Sequence, residues 1–272
     1  MTSGTVSQAP VQDRTDGASV ALSALVVARN EEEALPACLE ALGFADEIVV
    51  VLDRCTDQSE AVARRYTGRV LAGGWPIEGD RRNAGIDACR GAWIVEVDAD
   101  EIVSPALAAE IRDVIAASAF DWHSVAIDNY VGDRHVRNGW GAYFGVGSKN
   151  ILFRKGAKRW GAQRVHPSLD WTGTGGPRLS ATLTHRVDRD IFDMVDRLNR
   201  YTSERAADMR AEGLNETLGR NLRRFVSRFY KVYIRRKGYR EGEWGFLLAL
   251  MTALYPLLSY LKARLEDGKT GR

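Results

Sequence analysis

Asp98-Ala99-Asp100-Glu101 ends an apolar run in this 272-residue chain and concentrates three carboxylates of metal-binding or acid–base type at one point. Side chains at i and i+2 leave a strand on the same side, so Asp98 and Asp100 can converge on one cation. Hard divalent ions such as Mg2+ or Mn2+ take oxygen ligands of this kind and commonly share them with phosphates. A strand exit with solvated acids would look the same in isolation. Two other exits add weight. Leu22–Ala28 runs into Arg29-Asn30-Glu31, and Glu47–Leu52 runs into Asp53-Arg54-Cys55-Thr56-Asp57. Asn30, Glu31 and Asp53 can accept hydrogen bonds from a base or ribose, although each residue type also caps helices and turns, the role favoured for Asp57. Arg82 and Asn83, within Arg81-Arg82-Asn83-Ala84-Gly85, could face a diphosphate or simply begin a helix.

Other chemistries find no support. There is no GxGxxG after the first strand, no GxxxxGK[ST] and no GxSxG, so dinucleotide, P-loop and nucleophile-elbow sites are not indicated. His123, His135, His166 and His185 are too dispersed for an HExxH-type site. Cys38, Cys55 and Cys89 form an odd set without CxxC spacing, which suits a reducing cytosol better than a disulfide framework.

The elements that must position these residues alternate. Leu22–Ala28 reads as a buried strand, and Glu31–Leu42 as a helix with Leu35, Cys38, Leu39 and Leu42 on one stripe. A strand over Glu47–Leu52, helices over Asp57–Tyr66 and Arg81–Cys89, and a strand over Trp93–Val97 follow. Ser104 can cap a helix running to Ala117, with Pro105 at its first position. Alternation of this kind predicts an α/β fold with a mostly parallel sheet covered on both faces, with ligands beyond the carboxyl ends of the strands. From 120 to 186 the chain is richer in Gly, Trp and short β-like pieces (Ser124–Tyr130, Asn150–Arg154, Leu179–His185), which predicts an antiparallel extension. After Asp190 it turns helical and basic.

Net charge is +2, from 38 Lys/Arg and 36 Asp/Glu. Nine Lys/Arg and no Asp/Glu lie between Leu218 and Arg240, so the remainder is acidic by about 7 charges. On a helical wheel Leu222, Phe225, Val226, Phe229 and Tyr233 share a face opposite Arg220, Arg224, Arg228, Lys231 and Arg235. That predicts a basic amphipathic helix on an anionic membrane surface; a core helix with solvated arginines is the alternative. Phe246–Leu261 is apolar for 16 residues and interrupted by Pro256, short of the roughly 20 that a span needs. No aromatic stacking platform accompanies the arginines, so no nucleic-acid partner is expected. Residues 1–19 are polar, lack a signal-peptide pattern, and are expected to be a disordered leader on a chain that stays inside the cell.

Taken together, the NEE after the first strand, D-x-x-T-D-x-S after the second, the RNAG helix start and W-I-V-E-V-D-A-D-E resemble family 2 glycosyltransferases of the GT-A fold. Leu152-Phe153-Arg154, Val165-His166, His185, Tyr201-Thr202, Gly238-Tyr239-Arg240-Glu241-Gly242 and Gly245-Phe246 follow the order of the subgroup with lipopolysaccharide core glucosyltransferases. The resemblance covers about residues 20 to 262. It implies a Rossmann-like catalytic domain at 20–190, with a nucleotide half at 20–118 and an acceptor half at 119–190. A helical, membrane-associating segment would occupy 191–272. It further implies a nucleotide-sugar donor, expected to be UDP-linked, a divalent ion, inversion at the anomeric carbon, and a lipid-linked saccharide acceptor at the inner face of the cytoplasmic membrane. By the same resemblance Asp53 contacts the nucleoside, Asp98 lies by the ribose and diphosphate, Asp100 ligates the metal, and His185 joins the metal or diphosphate. The chain departs from the pattern at the base. Relatives have Val-His-Glu where this chain has Val165-His166-Pro167, so Asp170 and His166 are the candidates, with Glu101 as a further one. A nucleotidyltransferase and a degenerate membrane-bound scaffold are the competing readings.

Overall fold

The computed structural model describes residues 20–141, 145–162 and 168–266. In chain order the elements are β1 (Leu22–Ala28), α1 (Leu35–Ala41), β2 (Glu47–Asp53), α2 (Ser59–Ala63), β3 (Val70–Gly73), α3 (Glu78–Ala88) and β4 (Trp93–Asp98). Then come β5 (Glu101–Val103), α4 (Pro105–Ala117), β6 (Trp122–Val131), β7 (Arg134–His135), β8 (Ser148–Arg154), β9 (Lys158–Trp160), β10 (Leu169–Trp171) and β11 (Thr182–Asp188). Three long helices follow: α5 (Ile191–Ala211), α6 (Leu218–Tyr230) and α7 (Glu243–Leu265).

All seven residues of β1 are buried, which suits the centre of a sheet covered on both faces. It pairs in parallel with β2 on one side and β4 on the other, and β2 pairs in parallel with β3. The sheet continues antiparallel from β4 to β8 to β6, in the order β3-β2-β1-β4-β8-β6-β11-β5, with β7 added to β6. β9 and β10 form a separate antiparallel ribbon. The expected parallel half and antiparallel extension are both present.

Two compact units divide the chain. The first runs to Ile127 and takes in Ser148–Thr184; the second comprises Asp128–Gly147 and the chain from His185 onward. In the first, α1, α2 and α4 close one face of the sheet over core positions such as Leu22, Ala24, Val26, Val50 and Val95. On the other face α3 and the β9–β10 ribbon cover Leu25, Val49, Val51 and Ile94.

The element boundaries follow local hydrogen bonding. The helix expected from Glu31 begins at Leu35, because the Glu31 and Glu32 amides donate to Ser59 Oγ (2.9 Å) and Asp57 Oδ2 (3.1 Å) and so tie the β1 exit to the β2 exit. Asp57 Oδ1 accepts from the Ser59 amide, the turn role favoured from sequence. Ser104 caps α4 by accepting from the Leu107 amide, with Pro105 at the first position. The β3, β5, β7, β9 and β10 strands, each four residues or fewer, are additions to the sequence reading.

In the second unit α7 is the core helix. Leu248, Ala249, Met251 and Tyr255 pack with Val131, Val136, Trp140, Met194 and Leu198. It runs through Pro256, and by length and composition it could cross a membrane, with 56% of its most apolar window buried inside the structure. The apolar face expected on α6 divides between core and surface, and its last member, Tyr233, lies beyond the helix end at Tyr230. Phe225 and Phe229 are half-buried, and Phe229 meets Phe246 of α7 edge-on, but Leu222 and Val226 are exposed.

Candidate functional site

The parallel strands deliver their carboxyl ends to one edge: Val27 of β1 lies beside Asp98 of β4, and Ala28 beside Leu52, the residue before Asp53. Helix α3 crosses this edge. Its adjacent Arg81 and Arg82 reach Asp53 (Nη1 to Oδ2, 3.2 Å) and Asp98 (Nη2 to Oδ1, 3.1 Å) respectively. One helical turn therefore joins two of the three expected exits.

Asp53 is buried and fully engaged. Its carboxylate accepts from Arg54 Nε (3.0 Å) and Nη2 (2.9 Å), the Trp75 amide (3.0 Å) and Arg81. Burial pushes its carboxyl up, but Arg54, the Trp75 amide and Arg81 outweigh that and hold it below the usual carboxylate range. A carboxylate has about four acceptor positions, so a base or ribose donor would have to displace a partner here. Arg54 is the exposed one, with half of its side chain in solvent.

Asp98 is held on both sides. Oδ1 accepts from Arg82 and Oδ2 from Lys149 Nζ (2.7 Å), while Lys149 also donates to Glu101 Oε1 (3.1 Å) and Oε2 (2.8 Å). Glu101 Oε2 in turn accepts from the Asp98 amide (2.7 Å), closing the turn of the tetrad. Arg82 is anchored from behind by Glu78 (3.0 Å) and the fully buried Glu96 (2.8 Å), and Glu96 pairs with buried Lys158 (2.6 Å). Trp160, Trp171 and Phe153 surround the Lys158 ammonium. Burial pushes the Asp98 carboxyl up, yet Arg82 and Lys149 hold it well below the ordinary range. Burial, joined by the Asp98 charge, raises Glu101 in spite of Lys149. Lys149 is kept charged, because Asp98 and Glu101 more than offset its own burial. The sequence reading does not single out Lys149, Glu96 and Lys158, which brace Asp98 and Arg82 here.

The remaining expected residues take other places. Asn83 clamps β9 with both ends of its amide: Nδ2 donates to Trp160 O (2.9 Å) and Oδ1 accepts from the Trp160 amide (3.0 Å). Asn30 has a positive φ of 56° and accepts from the Thr56 amide (2.8 Å), and Glu31 lies in the same tied pair of loops. Asp170 stands exposed on β10, opposite Arg159. His166 lies outside the described residues. His185 belongs to the second unit, where its Nδ1 bonds Asn129 Oδ1 (2.8 Å).

Among the described residues no three His, Cys, Asp or Glu groups gather closely enough to hold a cation. Mg2+ in particular is commonly bound by one or two carboxylates with substrate phosphates completing its shell. Asp100 together with a diphosphate fits that smaller requirement. Asp98, carrying a cation on each oxygen, does not.

Known proteins resemble the chain, some along most of its length and some along less than half. It is 26% identical over 269 residues to the lipopolysaccharide core biosynthesis glycosyltransferase LpsC of Rhizobium meliloti, covering 89% of this chain and 91% of that protein. It is 23% identical to an uncharacterized glycosyltransferase of Rickettsia typhi, covering 89% of this chain and 86% of the other. Among solved structures, Staphylococcus aureus TarS residues 1–349 aligns over 91% of this chain and 93% of its own at 12% identity and a TM-score of 0.45. Glucosyl-3-phosphoglycerate synthase from Mycobacterium tuberculosis, in complex with Mn2+ and UDP-glucose, aligns over 41% of this chain and 44% of its own at 20% identity and a TM-score of 0.34. Residues 23–166 match the family described as glycosyl transferase family 2. With more than half of its length in that match and a mixed sheet of the GT-A kind, the chain belongs to glycosyl transferase family 2.

Proposed function

We propose that this glycosyltransferase moves a sugar from a UDP-sugar to a lipid-linked saccharide of the lipopolysaccharide core type, with inversion at the anomeric carbon. The observation that carries the reading is the Arg81–Arg82 pair spanning Asp53 and Asp98 at the carboxyl edge of the sheet. Two guanidinium groups and two carboxylates at that edge match the negative charge and hydroxyls that a nucleoside diphosphate presents, which supports the reading. The likeness to LpsC along most of both chains supports the acceptor class.

In this reading Asp53 accepts from the nucleoside after exchanging its exposed Arg54 partner, and Asp98 accepts from the ribose. Asp100 would hold Mg2+ or Mn2+, which would supply charge neutralisation for the departing diphosphate. Arg81 and Arg82 orient that diphosphate and share its charge as the glycosidic bond breaks. Asp170 or His166 takes the proton from the acceptor hydroxyl as its oxygen attacks from the face opposite the leaving group. Residues 119–190 shape the acceptor side, and 191–272 meets the anionic surface of the cytoplasmic membrane from its inner face.

A thermal-shift screen of UDP-sugars with and without Mn2+ tests the donor. A ligand at about 100 times its Kd stabilises by about 2.7 kcal/mol, which in a chain this size raises Tm by about 5–10 °C. Asp100→Asn should lose the Mn2+-dependent part of the shift and at least about 100-fold in transfer while remaining folded. Unchanged turnover in that variant would remove the metal role. Release of pyrophosphate from a nucleoside triphosphate, in place of UDP from a UDP-sugar, would mark a nucleotidyltransferase instead.

A further inference from the structure

The carboxylates of the tetrad are not equivalent. Asp98 is bracketed by Arg82 at 3.1 Å and Lys149 at 2.7 Å, and Lys149 spans from Asp98 to both oxygens of Glu101. Neither cation is a loose surface chain. The Arg82 side chain is 11% exposed and fixed by Glu78 and Glu96 as well, and the Lys149 side chain is 20% exposed with three short contacts. A divalent ion on Asp98 would stand against two like charges already bound to the same carboxylate. A ribose hydroxyl would meet no such opposition, because each carboxylate oxygen has a second lone pair.

From this geometry we infer that Lys149 is a fixed counter-cation for Asp98 and Glu101, which keeps both out of the metal's coordination shell and makes nucleotide a prerequisite for metal binding. Asp100 is then the tetrad's ligand, and the diphosphate must bring the others. The nucleotide requirement rests on the donor reading above; the exclusion of Asp98 by Lys149 does not. Lys149 acts through its neighbours, and its role is one of positioning.

Mn2+ binding to the purified full chain, followed by electron paramagnetic resonance and by calorimetry, tests this without any turnover. Wild type should show no saturable Mn2+ site alone and should gain one when UDP is added. Lys149→Met releases Asp98 and Glu101 beside Asp100, and should bind Mn2+ without nucleotide at least about tenfold more tightly than wild type. Asp98→Asn in that background should cancel the gain, and Lys149→Arg, which keeps the charge, should behave as wild type. Tight nucleotide-free binding by wild type, or no gain in folded Lys149→Met, overturns the inference. Should Lys149→Met not fold, Lys149→Gln takes its place, and no nucleotide-free gain in that folded variant overturns the inference. If UDP draws no Mn2+ to wild type, the donor reading fails, while the nucleotide-free comparison still judges Lys149.

Discussion

Asp188, at the end of β11, has a side chain only 3% exposed and bonds Arg197 at 2.7 Å. Burial pushes its carboxyl up to about 6; Arg197 opposes that, Asp193 adds to it, and His185 pulls it down. An unfolded aspartate titrates near 3.9, so between about pH 4 and 6 the native state binds more protons than the unfolded one. Stability from this group is therefore present at low pH and lost as pH rises through that window, by about 3 kcal/mol in all. Urea unfolding of wild type and Asp188→Asn at pH 4 and pH 7 should show wild type losing about 2–3 kcal/mol relative to the variant on going to pH 7. A difference that does not change with pH would refute the raised value. At this scale the sequence is informative only where residues are neighbours in the chain or share a strand exit. Asp53, Asp98 and Arg82 are legible because strand ends and a helix start announce themselves. Lys149 lies 51 positions from Asp98 and Lys158 lies 62 from Glu96, and no local pattern joins them. A signal does exist in Glu96: a charge in the middle of the buried run Trp93–Val97 demands a buried cation, although it does not say which.

Helix α3 can carry Arg81 and Arg82 to the strand ends because Gly85, one turn on, lets it lie close against the sheet. A β-carbon there would stand 2.5 Å from Leu25 Cδ1 and 2.9 Å from Val51 Cγ2. Gly85→Val should therefore cost about 1–3 kcal/mol by overpacking and weaken donor binding as the helix lifts. Gly68→Ala, with open space around its β-carbon, is the control and should change neither. Chemical denaturation and nucleotide titration read the two effects; full stability and affinity in Gly85→Val would show that α3 is not held by this contact. The glycine of the RNAG segment is thus an element-level constraint, and sequence alone presents it only as part of a helix start. Long elements are legible from period and capping, as β1, β2, β4 and α4 show. The short strands are not, because β3 and the β9–β10 ribbon have too few residues for a period to emerge and are set by their partners. Helix α6 exposes the limit of a wheel: it shows which residues are apolar, and tertiary packing decides which of them turn inward.

Charge and exposed apolar surface coincide in the helical unit. Nine Lys/Arg lie between Leu218 and Arg240, against an acidic remainder, and Leu218, Leu222, Val226, Tyr230 and Ile234 stand exposed at a spacing of four along the same stretch. Val226 is 66% exposed and Tyr230 55%, so neither is needed for the core beneath. Each basic side chain near an anionic leaflet contributes about 1 kcal/mol, and the apolar row adds burial in the headgroup region. A core helix with solvated arginines would carry the charges without this outward row. The membrane-facing reading predicts that the protein sediments with vesicles containing phosphatidylglycerol and much less with phosphatidylcholine alone. Raising salt to about 0.5 M shortens the screening length to about 4 Å and should release it. Val226→Glu combined with Tyr230→Glu should weaken vesicle binding by at least about tenfold, since two apolar contacts are replaced by two anions facing an anionic surface. Because both positions lie outside the core, Tm should stay within about 2 °C of wild type, which separates lost binding from lost folding. Equal binding to neutral vesicles, or full binding by the double variant, would assign the basic row to solvent.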